Sequence, residues 1–207
     1  MRIGVDGGVF HGPHSGVGIY NYYLLLSLVN NYNCQLIIYS YKEAGFPQHA
    51  NITLKLPPRF MLGSLLLSNI WRLFVPAFCF LDRVDVFFAG NGLSNFFQCK
   101  KTILVVHDFV YRFYPETMSI KGLWARRLMQ SFWMKRAEAV ICNSNATASD
   151  LWKISQRAAD AVIKPYSQLD ASGINYPQVA GLPDGYMLVV GTLEPRKNLA
   201  ALVRAYD

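Results

Sequence analysis

The sequence is poor in cysteine, and its cysteines are widely spaced. The 207 residues include four, with no Cys-x-x-Cys pair among them: Cys34, Cys79, Cys99 and Cys142. This spacing excludes the common zinc-binding motifs and a small disulfide-linked scaffold. Three of the four lie in or beside apolar runs, where a free cysteine behaves as a small hydrophobic residue. We expect all four to be reduced, as in a cytoplasmic protein.

Charged residues are also scarce, acidic ones most of all. Only 16% of the residues are charged and 52% are hydrophobic, which excludes an intrinsically disordered chain. Lys and Arg number 20 against 13 Asp and Glu, giving a formal net charge of +7. The excess predicts anionic partners such as phosphates and acidic lipids. No nucleic-acid-binding motif accompanies the charge, so we expect no nucleic-acid partner.

No apolar run is long enough to span a membrane. Residues 60–76 come nearest, but Arg72 and Pro76 interrupt them, and a spanning helix needs about 20 apolar residues. This segment predicts a helix packed on the domain, with an interfacial helix touching lipid as the alternative. Residues 122–136 predict a basic amphipathic helix, which either faces solvent or lies on an anionic membrane. The chain opens directly with a strand-like segment, so we expect no signal peptide.

What the sequence does contain is a regular alternation of apolar strands and amphipathic helices. The predicted strands are residues 2–5, 35–40, 52–56, 84–89, 102–106, 139–142 and 162–163. Segments as uniformly aliphatic as residues 102–106 are typical of central parallel strands. The alternation predicts an α/β fold built on a doubly wound, Rossmann-like parallel sheet.

Two functional candidates directly follow predicted strands, at the edge where α/β proteins bind ligands. A glycine-rich loop, residues 6–18, ends with Gly16, Val17 and Gly18 and allows backbone N–H groups to approach a phosphate. A tight turn without a ligand is the alternative. His107 follows the strand 102–106, and its imidazole ionises near neutral pH. A structural histidine would show the same pattern.

A third candidate combines an apolar segment with two cations. Met187–Val190 is predicted to be a buried strand, and Pro195 to mark the start of a helix. Arg196 and Lys197 would then lie near a helix N-terminus, whose free N–H groups favour an anion such as a diphosphate. A solvated turn is the alternative for this stretch as well.

Five motifs, taken in order, resemble the retaining, nucleotide-sugar-dependent glycosyltransferases of family 4, also called glycosyl transferases group 1. They are Ser15–Tyr20, the helix with Trp71 and Pro76, His107–Glu116, Val140–Leu151 and Gly191–Leu199. The resemblance implies the N-terminal half of a GT-B fold followed by a truncated second Rossmann domain. It implies an acceptor-side domain over residues 1–166, a linker over 167–185, and the first strand, phosphate loop and helix of the donor-binding domain over 186–207.

The resemblance also implies which residues act. The donor would be bound by Gly16, Val17, Gly18, Glu194, Arg196 and Lys197. His107 would contact the transferred sugar and would form the catalytic set with Arg196 and Lys197. No enzymic nucleophile, cofactor or metal ion is implied, and the sequence has no Asp-x-Asp pair to hold a metal.

The implied reaction transfers a hexose, with mannose as one candidate, from a nucleoside-diphosphate sugar to a glycan or lipid-linked acceptor with retention. Such a reaction belongs to the assembly of cell-surface polysaccharide or lipopolysaccharide. We expect a cytoplasmic location with peripheral contact with the inner membrane surface. Because most of the donor-binding half is missing, we expect the chain alone to be inactive, as an excised piece, a truncated product or one partner of a separate C-terminal half. The alternative is a non-catalytic module that binds glycan or anionic lipid.

Overall fold

Seven parallel strands form one sheet in this computed structural model, in the order β3-β2-β1-β4-β5-β6-β7. The strands are β1 (Arg2–Asp6), β2 (Gln35–Tyr39), β3 (Ile52–Lys55), β4 (Val86–Ala89), β5 (Lys101–Val106), β6 (Ala139–Cys142) and β7 (Ala161–Val162). The structure describes residues 1–11, 15–42, 49–59, 65–94, 97–98, 100–165, 181, 185–191, 193–194 and 197–206, with only the backbone for 65–69. The predicted α/β parallel sheet is confirmed.

Helices cover both faces of the sheet. They are α1 (Gly16–Asn31), α2 (Leu65–Leu81), α3 (Val110–Phe113), α4 (Ile120–Ala125), α5 (Ser131–Arg136), α6 (Asn145–Ser155) and α7 (Leu199–Tyr206). The predicted helix 122–136 is helical throughout, but a π-helical turn, Arg126–Gln130, separates α4 from α5. Short 3-10 helices span Gly7–Phe10 and Pro115–Thr117.

Two apolar cores lie on opposite faces of the sheet and share the central strands. On β5, Val105 packs into the core that contains Leu25 of α1, whereas Leu104 and Val106 belong to the core that contains Trp133 of α5. Neighbouring side chains of a strand point to opposite faces, so both sets are buried. Coverage on both faces explains why this strand is aliphatic without alternation.

Helix α2 packs on the domain, as predicted, but only along one side. Trp71, Val75 and Cys79 recur every four residues and are buried in the core. Leu73 and Phe74, between them, are 56% and 55% exposed. The helix therefore has one apolar face in the core and a second apolar face towards solvent.

Strand β1 lies between β2 and β4, so the chain first builds the sheet to one side and then to the other. In open α/β sheets, this reversal leaves a crevice at the carboxyl ends of the strands. The loops after β1, β4 and β5 all meet that edge because the strands are parallel. The sheet order therefore identifies the place where a site is expected.

The tail differs from its prediction. Residues 186–190 are not part of a strand, and Val190 is 85% exposed, so the predicted buried strand Met187–Val190 is wrong. A parallel strand needs a neighbouring strand for its backbone hydrogen bonds, and none of the described strands pairs with this segment.

The last predicted helix is present, but it begins later than expected. Helix α7 starts at Leu199, because Asn198 adopts the left-handed conformation, with φ of 50°, just before it. Pro195 and Arg196 lie outside the described residues, as does most of the predicted linker, residues 167–185.

Cys34, Cys79 and Cys142 are free and buried, while Cys99 lies outside the described residues. Within the described ranges, no helix has the length and apolar character needed to cross a membrane.

Shortening a core side chain on the central strand tests this packing. Leu104 is fully buried, so Leu104→Ala should lower the free energy of unfolding by about 2–5 kcal/mol, because it leaves a cavity in a close-packed core. Urea denaturation would measure the change. Leu73→Ala, at an exposed position of α2, is the matched control, and an equal loss in the two variants would contradict the described core.

Candidate functional site

The carbonyl oxygen of Gly90 joins three elements at the carboxyl edge of the sheet. It follows β4 and accepts hydrogen bonds from Asn21 Nδ2 of α1 and from His107 Nε2 after β5, each at 2.8 Å. Asn21, which is fully buried, also donates to the carbonyl of Val17 at 2.8 Å. The start of α1 is therefore tied to His107 through one backbone atom.

His107 is oriented by contacts on several sides. A carbonyl oxygen can only accept, so Nε2 carries the proton that bonds Gly90, and in the neutral ring Nδ1 remains an acceptor. The ring of Tyr20 meets the imidazole edge to face, with centroids 5.2 Å apart. The hydroxyl of Thr147 lies 3.1 Å from the His107 carbonyl oxygen and holds the backbone.

Burial sets the protonation state of this imidazole. Desolvation is the largest cause and lowers the pKa of His107 below 6.5; Arg126 acts in the same direction, while Gly90 and Asp108 oppose it. The ring is therefore neutral at pH 7. Neutral His107 presents a fixed acceptor nitrogen that can take a hydrogen bond from a hydroxyl group.

The three glycine-loop residues form the first turn of α1. Ser15 caps this helix, and its Oγ accepts the N–H of Gly18 at 3.1 Å. A Cβ on Gly18 would come within 2.9 Å of the Val9 carbonyl oxygen, so this close approach requires glycine. At Gly16, by contrast, a Cβ would meet no described atom within 4 Å. None of the described residues therefore fills the space in front of Gly16 at the helix N-terminus.

The loop after β4 also holds a half-buried arginine. Arg126 Nη1 donates to the carbonyl oxygen of Asn91 and Nη2 to its Oδ1, at 3.2 and 3.0 Å. Arg126 Nη1 also lies 3.2 Å from Gln130 Oε1. Next to them, Gly92 has φ of 69° and a Cβ there would lie 3.3–3.4 Å from Gln130 and Arg126. Both the left-handed backbone and the close contact favour glycine.

A cavity of about 240 Å³ lies next to Asp108, the residue that follows His107 in the chain. Its lining comes from the segment between β5 and α4, the π turn and the tail: Asp108, Val110, Tyr111, Thr117, Met118, Arg126 and Glu194. Burial lowers the pKa of Arg126, and the nearby Asp108 carboxylate raises it, so the guanidinium stays charged. The cavity thus combines one cation with two carboxylates.

The structure brings some of the predicted site residues together. Gly16, Val17 and Gly18 share the sheet edge with His107, and Glu194 lines the cavity beside Asp108. Lys197 is exposed, and its backbone N–H donates to the Glu194 carbonyl oxygen at 2.9 Å. Arg196 lies outside the described residues, so the predicted pair of cations is seen only in part. The roles of all these residues remain predictions.

Comparison with protein families decides the identity. The model of the family described as Glycosyltransferase Family 4 matches residues 14–163, well over half of the chain. The chain belongs to glycosyltransferase family 4. The match includes the glycine loop and His107 and ends before Glu194 and Lys197. No curated protein matches the chain significantly.

Three residues of this family 4 site were not predicted from the sequence. Asn21 holds Gly90, Thr147 holds the His107 backbone, and Arg126 faces the cavity instead of solvent. A polar residue, Asn21, within the otherwise apolar helix α1 could have indicated a buried hydrogen bond. The sequence does not indicate that Arg126 faces the cavity, because Arg127 beside it has the same side chain.

The sequence predicts no metal site. Over the described part of the chain, no three His, Cys, Asp or Glu residues come together as a metal site. The expectation of a metal-free reaction stays a prediction.

The protonation of His107 can be followed by NMR. Its ring should titrate with a midpoint below 6.5, because burial disfavours the imidazolium. Just below pH 6.5 the unfolded chain then binds more protons than the folded one. The contribution of His107 to the free energy of unfolding is therefore fully present above pH 6.5. It is lost as the pH falls through the pKa that His107 has in the folded chain.

Ring carbon and proton shifts between pH 4 and 8 would measure the midpoint, with His107→Asn assigning the signal. A midpoint above 6.5 would contradict the buried, Gly90-bonded imidazole.

Proposed function

We propose that this chain is the acceptor-side domain, with the first part of the donor-binding domain, of a retaining hexosyltransferase. The reaction moves a hexose, with mannose as a candidate, from a nucleoside-diphosphate sugar to a glycan or lipid-linked acceptor. The proposal places it in cell-surface polysaccharide or lipopolysaccharide assembly, at the cytoplasmic side of the membrane. Membership in glycosyltransferase family 4 supports sugar transfer. The hexose, the retention of configuration, the acceptor and the pathway are parts of our proposal.

One observation carries the proposal: the first turn of α1 and the His107 imidazole are linked through the Gly90 carbonyl at the switch point of the sheet. A helix N-terminus attracts a diphosphate through its N–H groups and its dipole. A neutral imidazole whose Nδ1 can accept a hydrogen bond suits a sugar hydroxyl. Their proximity favours a ligand that carries both groups, as a nucleotide sugar does.

In the proposed mechanism the chain supplies charge and position, without an enzymic nucleophile. Arg196 and Lys197 stabilise the negative charge that develops on the departing diphosphate, and the N–H groups of Gly16 and Val17 assist them. Glu194 helps to bind the donor. His107 orients the transferred hexose, so that the acceptor hydroxyl meets the anomeric carbon in a fixed geometry.

A membrane-facing surface is a further part of the proposal. Ile120, Trp124 and Leu128 are 76%, 56% and 61% exposed and recur every four residues along α4 and the π turn. The exposed cations Lys121 and Lys135 belong to the same helical region. Apolar side chains flanked by basic ones are typical of peripheral helices on anionic membranes.

The donor assignment predicts a large effect of removing one cation. Lys197→Ala, in the protein that also carries the rest of the donor-binding half, should lower kcat/KM by at least about 100-fold, because it removes charge that stabilises the transition state. Transfer of radiolabelled hexose would measure it. Lys153→Ala, on the exposed side of α6, is the control.

A near-normal kcat/KM for the Lys197 variant would contradict the proposal that Lys197 stabilises the donor diphosphate. Oligosaccharide binding without any transfer from a nucleotide sugar would instead favour the non-catalytic module.

The membrane surface predicts a loss of vesicle binding in one tryptophan variant. Trp124→Ala should weaken binding to phosphatidylserine-containing vesicles by about tenfold, or about 1.4 kcal/mol, since the indole no longer enters the interface. Sedimentation at low and high salt would measure it. Trp152→Ala is the matched control, because Trp152 of α6 is 53% exposed. Equal binding by the two variants, or none by the parent chain, would contradict the surface.

A further inference from the structure

We propose that Asn21 is a positioning residue for sugar transfer. Its side-chain amide sets the spacing between the first turn of α1 and the His107 imidazole, and it fixes which ring nitrogen of His107 carries the proton. Asn21 touches no substrate in this proposal; it acts through the Gly90 carbonyl. The inference rests on the proposed function, which assigns the diphosphate to the start of α1 and the transferred hexose to His107.

The Asn21 amide has one donor for each of the two elements that it joins. Its Nδ2 donates to the carbonyl oxygen of Val17 and to that of Gly90, each at 2.8 Å. A side-chain amide has two N–H groups, so both are used. Asn21 therefore bridges the first turn of its own helix and the loop after β4.

Side chains alone hold the Gly90 carbonyl. Among the described hydrogen bonds it accepts from Asn21 and from His107, and no backbone N–H donates to it. Gly90 lies just beyond the end of β4, where a glycine backbone is free to rotate. Because the imidazole is the group that has to be oriented, Asn21 is the donor that fixes the direction of the carbonyl.

The amide lies directly against the backbone of Gly90. A Cβ on residue 90 would come within 2.6 Å of Asn21 Oδ1 and 3.0 Å of Nδ2. The Asn21 amide thus occupies the space that any other residue at position 90 would need. Since Asn21 is fully buried, its two bonds do not compete with water.

Packing alone would not favour an asparagine at this position. Asn21 Oδ1 is buried and meets no donor among the described residues, and an unpaired buried acceptor is costly. An apolar side chain would avoid that cost. What an asparagine adds is the pair of bonds from Nδ2, and these lead to the two groups that we propose bind the donor.

The fixed carbonyl decides the tautomer of His107. A carbonyl oxygen only accepts, so Nε2, which faces it, carries the proton and Nδ1 is left as the acceptor. If the carbonyl were free to rotate, the neutral ring would populate both tautomers. The nitrogen that accepts from a hexose hydroxyl would then no longer point in one direction.

The tautomer of His107 is a readout that a purely structural role of Asn21 would not change. In long-range proton–nitrogen NMR spectra of the chain at pH 8, the parent should show a single Nε2–H tautomer. Asn21→Leu should show a mixture, because leucine has the same branched shape and no donor. A single Nε2–H tautomer in this variant would overturn the proposal, even if its Tm were lower.

Asn31→Leu is the matched control. Asn31 Nδ2 donates to the carbonyl oxygen of Ser27, four residues earlier, at 2.9 Å. Asn21 makes the same kind of bond to Val17, but only Asn21 also donates to Gly90. The tautomer should therefore stay single in Asn31→Leu, and an equal mixture in the two variants would contradict the specific role of Asn21.

Two further measurements apply if Asn21→Leu folds poorly. In the parent chain the side-chain NH₂ protons of Asn21 should exchange slowly with solvent, because both are bonded in a buried place, and those of the exposed Asn31 should exchange fast. Asn21→Asp keeps the shape and replaces the donor nitrogen by oxygen, so it should also give mixed tautomers. Fast exchange at Asn21, or a single tautomer in Asn21→Asp, would overturn the proposal.

The consequence for sugar transfer is a loss of turnover. In the protein that also carries the rest of the donor-binding half, Asn21→Leu should lower kcat about tenfold and change KM for the donor less, because bound substrate is held less often in the productive geometry. Asn31→Leu should keep kcat. An unchanged kcat in Asn21→Leu would refute the positioning role.

Failure of this inference is distinguishable from failure of the proposed function. The tautomer is measured without a donor, whereas sugar transfer is measured first on the parent protein. Transfer by the parent, with tautomer and kcat unchanged in Asn21→Leu, would refute this inference alone. Mixed tautomers in Asn21→Leu, with no transfer by the parent, would refute the proposed reaction and support the link from Asn21 to His107.

Discussion

One backbone atom, the carbonyl oxygen of Gly90, fixes the geometry on which the rest of the site depends. It accepts from Asn21 and from His107, and both donors are on elements that the chain reaches far apart in sequence. Losing either bond would leave a buried polar group unsatisfied. The orientation of the imidazole and the position of α1 are therefore coupled, and the sheet supplies the rigid frame that makes this coupling possible.

Much of the fold could be predicted because its signals are local and repeated. Residues 102–106 are aliphatic because both faces of β5 are covered, and the same pattern predicts that His107 leaves the sheet at its carboxyl edge. The cap at Ser144, whose Oγ accepts the N–H of Thr147 at 3.1 Å, likewise follows from residue type and spacing.

What could not be predicted depends on partners distant in sequence. Arg126 and Arg127 are the same type of residue, so the sequence cannot tell which of them faces the cavity. The π turn and the hydrogen bonds to Asn91 place Arg126 there. Residues 187–190 have the composition of a buried strand, yet they are exposed. Apolar character shows that a segment is suited to burial, but not which neighbour would cover it.

The loop after β4 then explains why two parts of the site lie side by side. Gly90 holds His107, Asn91 holds Arg126, and Gly92 allows Gln130 and Arg126 to approach the backbone closely. Three consecutive residues thus position both the imidazole and the guanidinium. Since a backbone shift here would displace the two groups together, their relative geometry is better protected than the position of either one. A glycosyltransferase must hold its donor and its acceptor in register, so relative geometry is the quantity that matters.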